Sequence, residues 1–140
     1  MEKFPSVVSD IMKKLVTIDG SGSVKEAAEI MLEKGIGSIV VAEEGSPVGI
    51  VTKSDLLARV IVNCRDPREC RIGEIMSSPL IFIDKNTPIL DAMRELRHRK
   101  VRRLLVSDGE KIVGIVSEYD MINAVTISSL TQFSTLLRRK

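Results

Sequence analysis

The sequence predicts an α+β fold of two β-α-β-β-α repeats, packed sheet to sheet about a pseudo-twofold axis. Three observations carry that prediction. The phrase "VGIVTKSD" (Val48–Asp55) returns as "VGIVSEYD" (Val113–Asp120) sixty-five positions later. With 18–57 set against 83–122, nine of forty positions are identical, and five of the nine fall in that phrase. Apolar runs of strand length alternate with stretches of helical period in the same order in both halves. A unit of about sixty residues with its helices on one side of a small sheet is marginal alone. Pairing the two open faces buries both, and a crevice at such a junction is where a ligand site is expected. The repeats are placed at 8–62 and 72–126, with a linker at 63–71 and a helical tail at 127–140.

Each element has its own signal. "VTID" and "IFID" read as short first strands. Ser23 and Glu26 form an S-x-x-E capping box that opens a helix, and Val24, Ala27, Ala28 and Met31 follow helical spacing. Gly35 is the expected stop. In the second repeat Thr87 is the expected cap, Pro88 the first helical residue, and Ile89, Ala92, Met93 and Leu96 the apolar stripe. "SIVVA" with "PVGIV", and "RLLVS" with "KIVGIV", read as hairpins turning at Glu44-Gly45 and Asp108-Gly109. A second helix follows each copy of the repeated phrase, at "LLARVIV" and "MINAVTI". Before Ile18 the offset becomes 64, which matches Ile11-Met12 to Ile75-Met76. Pro67 and the charges around it suit an exposed connection.

Composition narrows the function. Of 140 residues, 44% are hydrophobic and 29% charged, the profile of a globular domain. Aromatic residues make up 3%, which weighs against stacking of nucleic-acid bases, and a net charge of +2 does not by itself mark a nucleic-acid binder. Cys64 and Cys70 have neither zinc nor redox spacing and read as free thiols in a reducing cytoplasm. No apolar run reaches the ~20 residues of a membrane helix, and the start lacks the apolar core of a signal peptide. The expected location is cytoplasmic. There is no nucleophile–base pair and no metal cluster, so no enzyme and no obligatory cofactor are expected.

The repeated phrase supports two readings that can hold together. Thr52 with Asp55, and Ser117 with Asp120, have the spacing of a helix cap, a hydroxyl at N-cap and an acid three residues on. The same groups suit a sugar. An ionised carboxylate only accepts hydrogen bonds, and its two oxygens can take the neighbouring hydroxyls of a ribose. Gly49 and Gly114 permit close approach near the strand end, and helix N-termini offer N–H groups to anions.

The ordered set "DIM" and "EIM", "IDGSGSVKEAAEIMLEKGIGSIVV", "GIVTKSD" and "GIVSEYD" resembles a tandem pair of cystathionine-β-synthase-type (CBS) domains, the Bateman module, over nearly the whole chain. The resemblance implies nucleotide clefts between repeats, frequent homodimerisation, and adenosine ligands held by the hydroxyl-x-x-Asp pattern. It implies that basic residues at the start of the other repeat's middle strand meet the phosphate. Arg102 and Arg103 stand there in the second repeat, Gly37 and Ser38 in the first. The cleft owning Asp55 is thus expected to favour a charged phosphate tail, and the one owning Asp120 a less phosphorylated ligand or none. Tyr119 replaces Ser54 beside Asp120 and could crowd the sugar. The adenine slot would use Thr17, Ile18 and Ile36 in one unit and Phe82, Ile83 and Val101 in the other. Each of these also suits ordinary core.

Other features carry less. The run "RELRHRKVRR" (94–103) holds six Lys or Arg, and reads first as a solvated helix face. His98 has no partner in sequence for a metal. "DGSGS" lacks the pattern of a phosphate loop and reads as a turn. Leu130, Phe133, Leu136 and Leu137 share one helical face of the tail. The expectation is a regulatory, energy-sensing module for AMP, ADP, ATP or a related adenosyl ligand that signals to a separate effector protein. A ligand-free scaffold is the alternative, with nucleic-acid binding behind both.

Overall fold

A computed structural model describes residues 5–78 and 80–138, with 131–138 described by backbone alone. The elements run β1 (Thr17–Asp19), α1 (Val24–Lys34), β2 (Ser38–Glu43), β3 (Ser46–Thr52), α2 (Lys53–Leu56), then β4 (Phe82–Asp84), α3 (Ile89–Arg99), β5 (Arg103–Asp108), β6 (Lys111–Ser117) and α4 (Glu118–Arg138). This is the predicted α+β order, twice. Each half forms a three-stranded sheet, β1-β2-β3 or β4-β5-β6, whose first pair is parallel and second antiparallel. The register repeats at the offset of the sequence. Thr17 faces Val40 as Phe82 faces Leu105, and Ser38 faces Thr52 as Arg103 faces Ser117.

Local chemistry explains most element ends. The Ser23 hydroxyl accepts the Glu26 N–H at 3.0 Å, which is one of the two bonds expected of the capping box. The Ser23 backbone bridges to Arg71. Gly35 ends α1 in the left-handed conformation at φ 63°. On α1, Val24, Ala27 and Met31 are buried, each large apolar side chain contributing about 1.5–3 kcal/mol. Two expectations are corrected. Thr87 does not cap α3: Pro88 occupies the N-cap position, and the Ile89 N–H is taken by the Ser6 carbonyl at 3.1 Å. The second hairpin turns at Gly109-Glu110, one residue later than expected, because Asp108 still pairs with Lys111.

The second helices differ. After Leu56 the chain widens into a π-helical stretch, Leu57–Ile61, closed by Val62 N–H to Leu57 carbonyl at 3.0 Å. Its counterpart α4 runs unbroken for 21 residues. Leu130 on α4 is exposed, while the side chains of Phe133, Leu136 and Leu137 lie outside the described residues.

The compact units do not follow chain order. Residues 15–80 form one, and the chain up to 14 joins 81 onward in the other. Each sheet therefore pairs with a segment that leads into the other repeat. Ser77 bridges Ile50 of β3, and Lys13 bridges Ile115 of β6. Both leading segments carry a short 3-10 turn, at Ile72–Glu74 and Val8–Asp10. The linker is exposed through Glu69 yet fastened, since the carbonyls of Cys70 and Pro67 accept the Val24 and Lys25 N–H groups at the start of α1.

One core gathers Val24, Ala27, Met31, Ile39, Val41 and Val51 with Ile72 and Ile75 of the leading segment. The other gathers Ile89, Ala92, Leu96, Leu104, Val106 and Val116 with Val8 and Met121. Val40 and Leu105, which alternate with these core residues along their strands, are also buried.

Candidate functional site

In the unit of residues 15–80, β3 hands over to α2 at Thr52. The Thr52 Oγ1 accepts the Asp55 N–H at 3.2 Å, and Asp55 Oδ2 accepts the Thr52 N–H at 2.9 Å. The cap predicted from spacing is therefore present in both directions. It uses one carboxylate oxygen. Asp55 Oδ1 takes no hydrogen bond among the described residues and faces Arg59 Nη2 at 3.9 Å. The strand start lies alongside: Ser38 pairs with Thr52, and the Gly37 carbonyl accepts the Lys53 N–H at 3.1 Å. Gly37, Ser38, Thr52 and Asp55 are thus brought together at one end of the sheet, with Thr17 one strand over, facing Val40. Ser54 is exposed. Ile18 is a core residue at 9% exposure, and Ile36 packs against that core.

The unit containing 81–138 repeats this arrangement. Ser117 Oγ accepts the Asp120 N–H at 3.1 Å, and Asp120 Oδ2 accepts the Ser117 N–H at 3.1 Å. Arg103 pairs with Ser117, and the Arg102 carbonyl accepts the Glu118 N–H at 2.8 Å. Arg102 is exposed, whereas Arg103 is half-buried and engaged in an interaction of its own. Tyr119 is 75% exposed and Phe82 48%. Ile83 and Val101 pack against the core.

The two glycines of the repeated phrase make room for a methionine. A Cβ on Gly49 would stand 2.5 Å from Met76 Sδ, and on Gly114 2.7 Å from Met12 Sδ. The room expected there for the approach of a ligand is thus taken by the leading segments.

Sequence reasoning missed Arg59. Its Nη1 donates to the Ile75 carbonyl at 2.7 Å and to the Met76 carbonyl at 3.2 Å. At the offset of the repeat its counterpart is Ala124, which is buried. An open hollow of about 600 Å³ lies in the second unit, lined by Phe82, Ile83, Asp84, Arg94 and Arg99 among others, and Asp120 does not line it. Among the described residues no His, Cys, Asp or Glu cluster is placed to hold a metal ion, and no helix is long and apolar enough to cross a membrane.

A duplicated β-α-β-β-α unit that keeps one hydroxyl–aspartate cap in each copy defines a tandem-repeat α+β module. The model of the CBS domain matches the chain twice, over residues 8–62 and 72–127, and the chain belongs to the CBS domain family. It is 32% identical over 112 residues to an uncharacterized protein of Methanopyrus kandleri, covering 79% of this chain and 57% of that one. The chain thus spans a little over half the length of that relative. A crystal structure of an uncharacterized conserved protein from Pyrococcus horikoshii shares 32% identity at a TM-score of 0.78, covering 89% of this chain and 95% of that one. The CBS domain of a bacterial CNNM/CorC family Mg2+ transporter, solved in complex with ATP, shares the fold at a TM-score of 0.73 and 24% identity, covering 86% of this chain and 87% of that one.

Proposed function

We propose that this chain is a regulatory module that binds an adenine nucleotide through Asp55, and in its second repeat through Asp120, and passes the ligand state to a separate effector protein. The observation that carries the proposal is the half-used carboxylate. In both caps Oδ2 takes a backbone N–H, while Oδ1 has no hydrogen bond among the described residues. A ribose diol supplies the donors such an oxygen lacks. In this reading Thr17, Ser38, Thr52, Ser54, Ser117 and Tyr119 would supply further hydroxyls to the ligand, and Arg102 and Arg103 charge for its phosphate. The ATP complex of the transporter's CBS domain supports the ligand class at the level of fold. The ligand acts only by its differential affinity for two states of the module, and the effector is coupled reciprocally.

Isothermal titration with AMP and ATP tests the proposal. Asp55→Asn keeps an oxygen for the cap but replaces the anionic acceptor by an amide, so binding weakens while folding stability stays close to wild type. Asp55→Ala loses both. No heat at millimolar nucleotide with the wild-type chain sinks the proposal.

A second reading, assembly without a ligand, is favoured by one observation. Leu57, Ile61 and Val62 are 60%, 62% and 74% exposed at the end of the α2 segment. Homodimerisation through this face is compatible with either reading. Sedimentation of Leu57→Glu against wild type reads it: a shift to monomer supports assembly there, and an unchanged profile removes it.

A further inference from the structure

The two half-sites differ four residues past the aspartate. Asp55 is followed by Arg59, and Asp120 by Ala124. Arg59 is a held side chain: Nη1 gives its two protons to the carbonyls of Ile75 and Met76. The planar guanidinium is thereby oriented, and Nη2 is left with its donors 3.9 Å from Asp55 Oδ1. That separation is too long for a hydrogen bond and too short for a charge to ignore. It also has a useful size. An oxygen at about 2.7–2.9 Å from each atom closes a triangle on it, with the two bonds near a right angle. Few groups can fill such a position. The occupant must donate to the carboxylate and accept from the guanidinium, and a hydroxyl does both. A methylene leaves both charged groups without the bond.

The π-helical stretch Leu57–Ile61 contains Arg59 and begins two residues after Asp55. It is absent from α4, where no cation pairs with Asp120 among the described residues. Widened turns of this kind are frequent at functional positions. The half-buried Asp55, with its side chain 17% exposed, sits beside an Arg59 side chain that is 46% exposed, so the pair is reached by solvent.

We propose that Arg59 is a specificity-determining residue that selects a sugar hydroxyl at Asp55, making the Asp55 half-site discriminate ribose from deoxyribose more sharply than the Asp120 half-site, which has Ala124 at that place. This rests on the nucleotide reading given above. The ligand class is a ribonucleotide with a free hydroxyl pair.

The test uses the full chain carrying Asp120→Asn, so that the Asp55 half-site is read alone, titrated with AMP, 2′-deoxy-AMP and 3′-deoxy-AMP. AMP is expected to bind about tenfold or more tighter than at least one deoxy analogue, the worth of a hydrogen bond to charged groups. Arg59→Ala is expected to narrow that ratio by about threefold or more, weakening AMP and sparing the analogue. Arg59→Lys keeps a charge but not the fork, and is expected to narrow it as well, which covers the case of an Arg59→Ala chain that does not fold. Equal weakening of AMP and both analogues in the variants overturns the inference and leaves nucleotide binding standing. So does AMP binding to wild type that vanishes in Asp120→Asn. No AMP binding to the wild-type chain overturns the nucleotide reading and this inference with it.

Discussion

Gly114 and Met12 share one volume. A Cβ on Gly114 would stand 2.7 Å from Met12 Sδ, and 2.9 Å from the Lys13 carbonyl oxygen just beyond it. The Lys13 backbone at that point is paired with Ile115, so it has little freedom to withdraw. At Gly49 the nearest atoms all belong to the Met76 side chain, at 2.5, 2.8 and 3.0 Å. A methionine can rotate away from an added methyl more readily than a paired backbone can. Gly114→Ala is therefore expected to destabilise the chain by about 1–3 kcal/mol, and Gly49→Ala by less. Equilibrium unfolding in urea measures both. Met76→Ala in combination should recover part of the Gly49→Ala loss. A neutral Gly114→Ala would contradict the packing described.

The helix ends offer a second prediction. Gly35 and Lys100 occupy equivalent stops, at φ 63° and 56°. Only the first is the residue type that adopts this conformation without cost. Lys100→Gly is expected to stabilise by about 0.5–1 kcal/mol, and Gly35→Ala to destabilise by about 1 kcal/mol. Opposite signs in thermal or urea unfolding are the expected outcome.

The strands, the hairpins and both aspartate caps were legible because each rests on neighbours in sequence. Ser23, Gly35, Thr52 and Ser117 act where spacing placed them. The leading segments were matched to each other through Ile11-Met12 and Ile75-Met76, yet nothing local says which sheet each joins. That depends on Lys13 meeting Ile115 and Ser77 meeting Ile50, pairs set by tertiary packing. The failed cap at Thr87 has the same origin, because the Ser6 carbonyl arrives from the far end of the sequence to take the Ile89 N–H. Arg59 escaped notice because an i,i+4 partner of an aspartate reads as a surface ion pair. Only the carbonyls of Ile75 and Met76 distinguish it. Ile18 suited both an adenine slot and the core in sequence; its burial makes it part of the core, and Thr17 beside it is exposed.

The two thiols are expected to behave differently. Cys64 is exposed, whereas Cys70 is buried at 2% exposure, and burial pushes its thiol up from the ordinary range, with Arg65 opposing and Glu74 adding to the shift. Thiol titration of the native chain should count one fast group, and of the denatured chain two. The shift also sets a pH dependence. The unfolded thiol ionises near pH ~8.5 while the folded one stays protonated, so the contribution of Cys70 is full below that pH and falls as pH rises toward the folded value. Cys70→Ala should flatten the alkaline loss of stability; an unchanged slope would assign that loss to other groups.

The last prediction tests Arg102 in the proposed phosphate role. Gly37 and Arg102 do the same backbone work in their units, each carbonyl accepting the N–H of the first helical residue, Lys53 or Glu118. The positions differ in the side chain alone. Because Arg102 is exposed, Arg102→Ala leaves the carbonyl bond in place and should change stability by less than about 0.5 kcal/mol. If its guanidinium meets a phosphate, the variant weakens ATP and AMP while adenosine binds as before. Charge-assisted bonds to phosphate set the expected size at about tenfold or more for ATP. Arg103→Ala is the harsher variant, since Arg103 is half-buried and already engaged, and a loss of stability is expected with it. Combining Arg102→Ala with Asp55→Asn in a double-mutant cycle reads whether the two side chains serve one ligand. A coupling energy near zero, or an equal loss of adenosine and ATP in Arg102→Ala, removes Arg102 from the phosphate role.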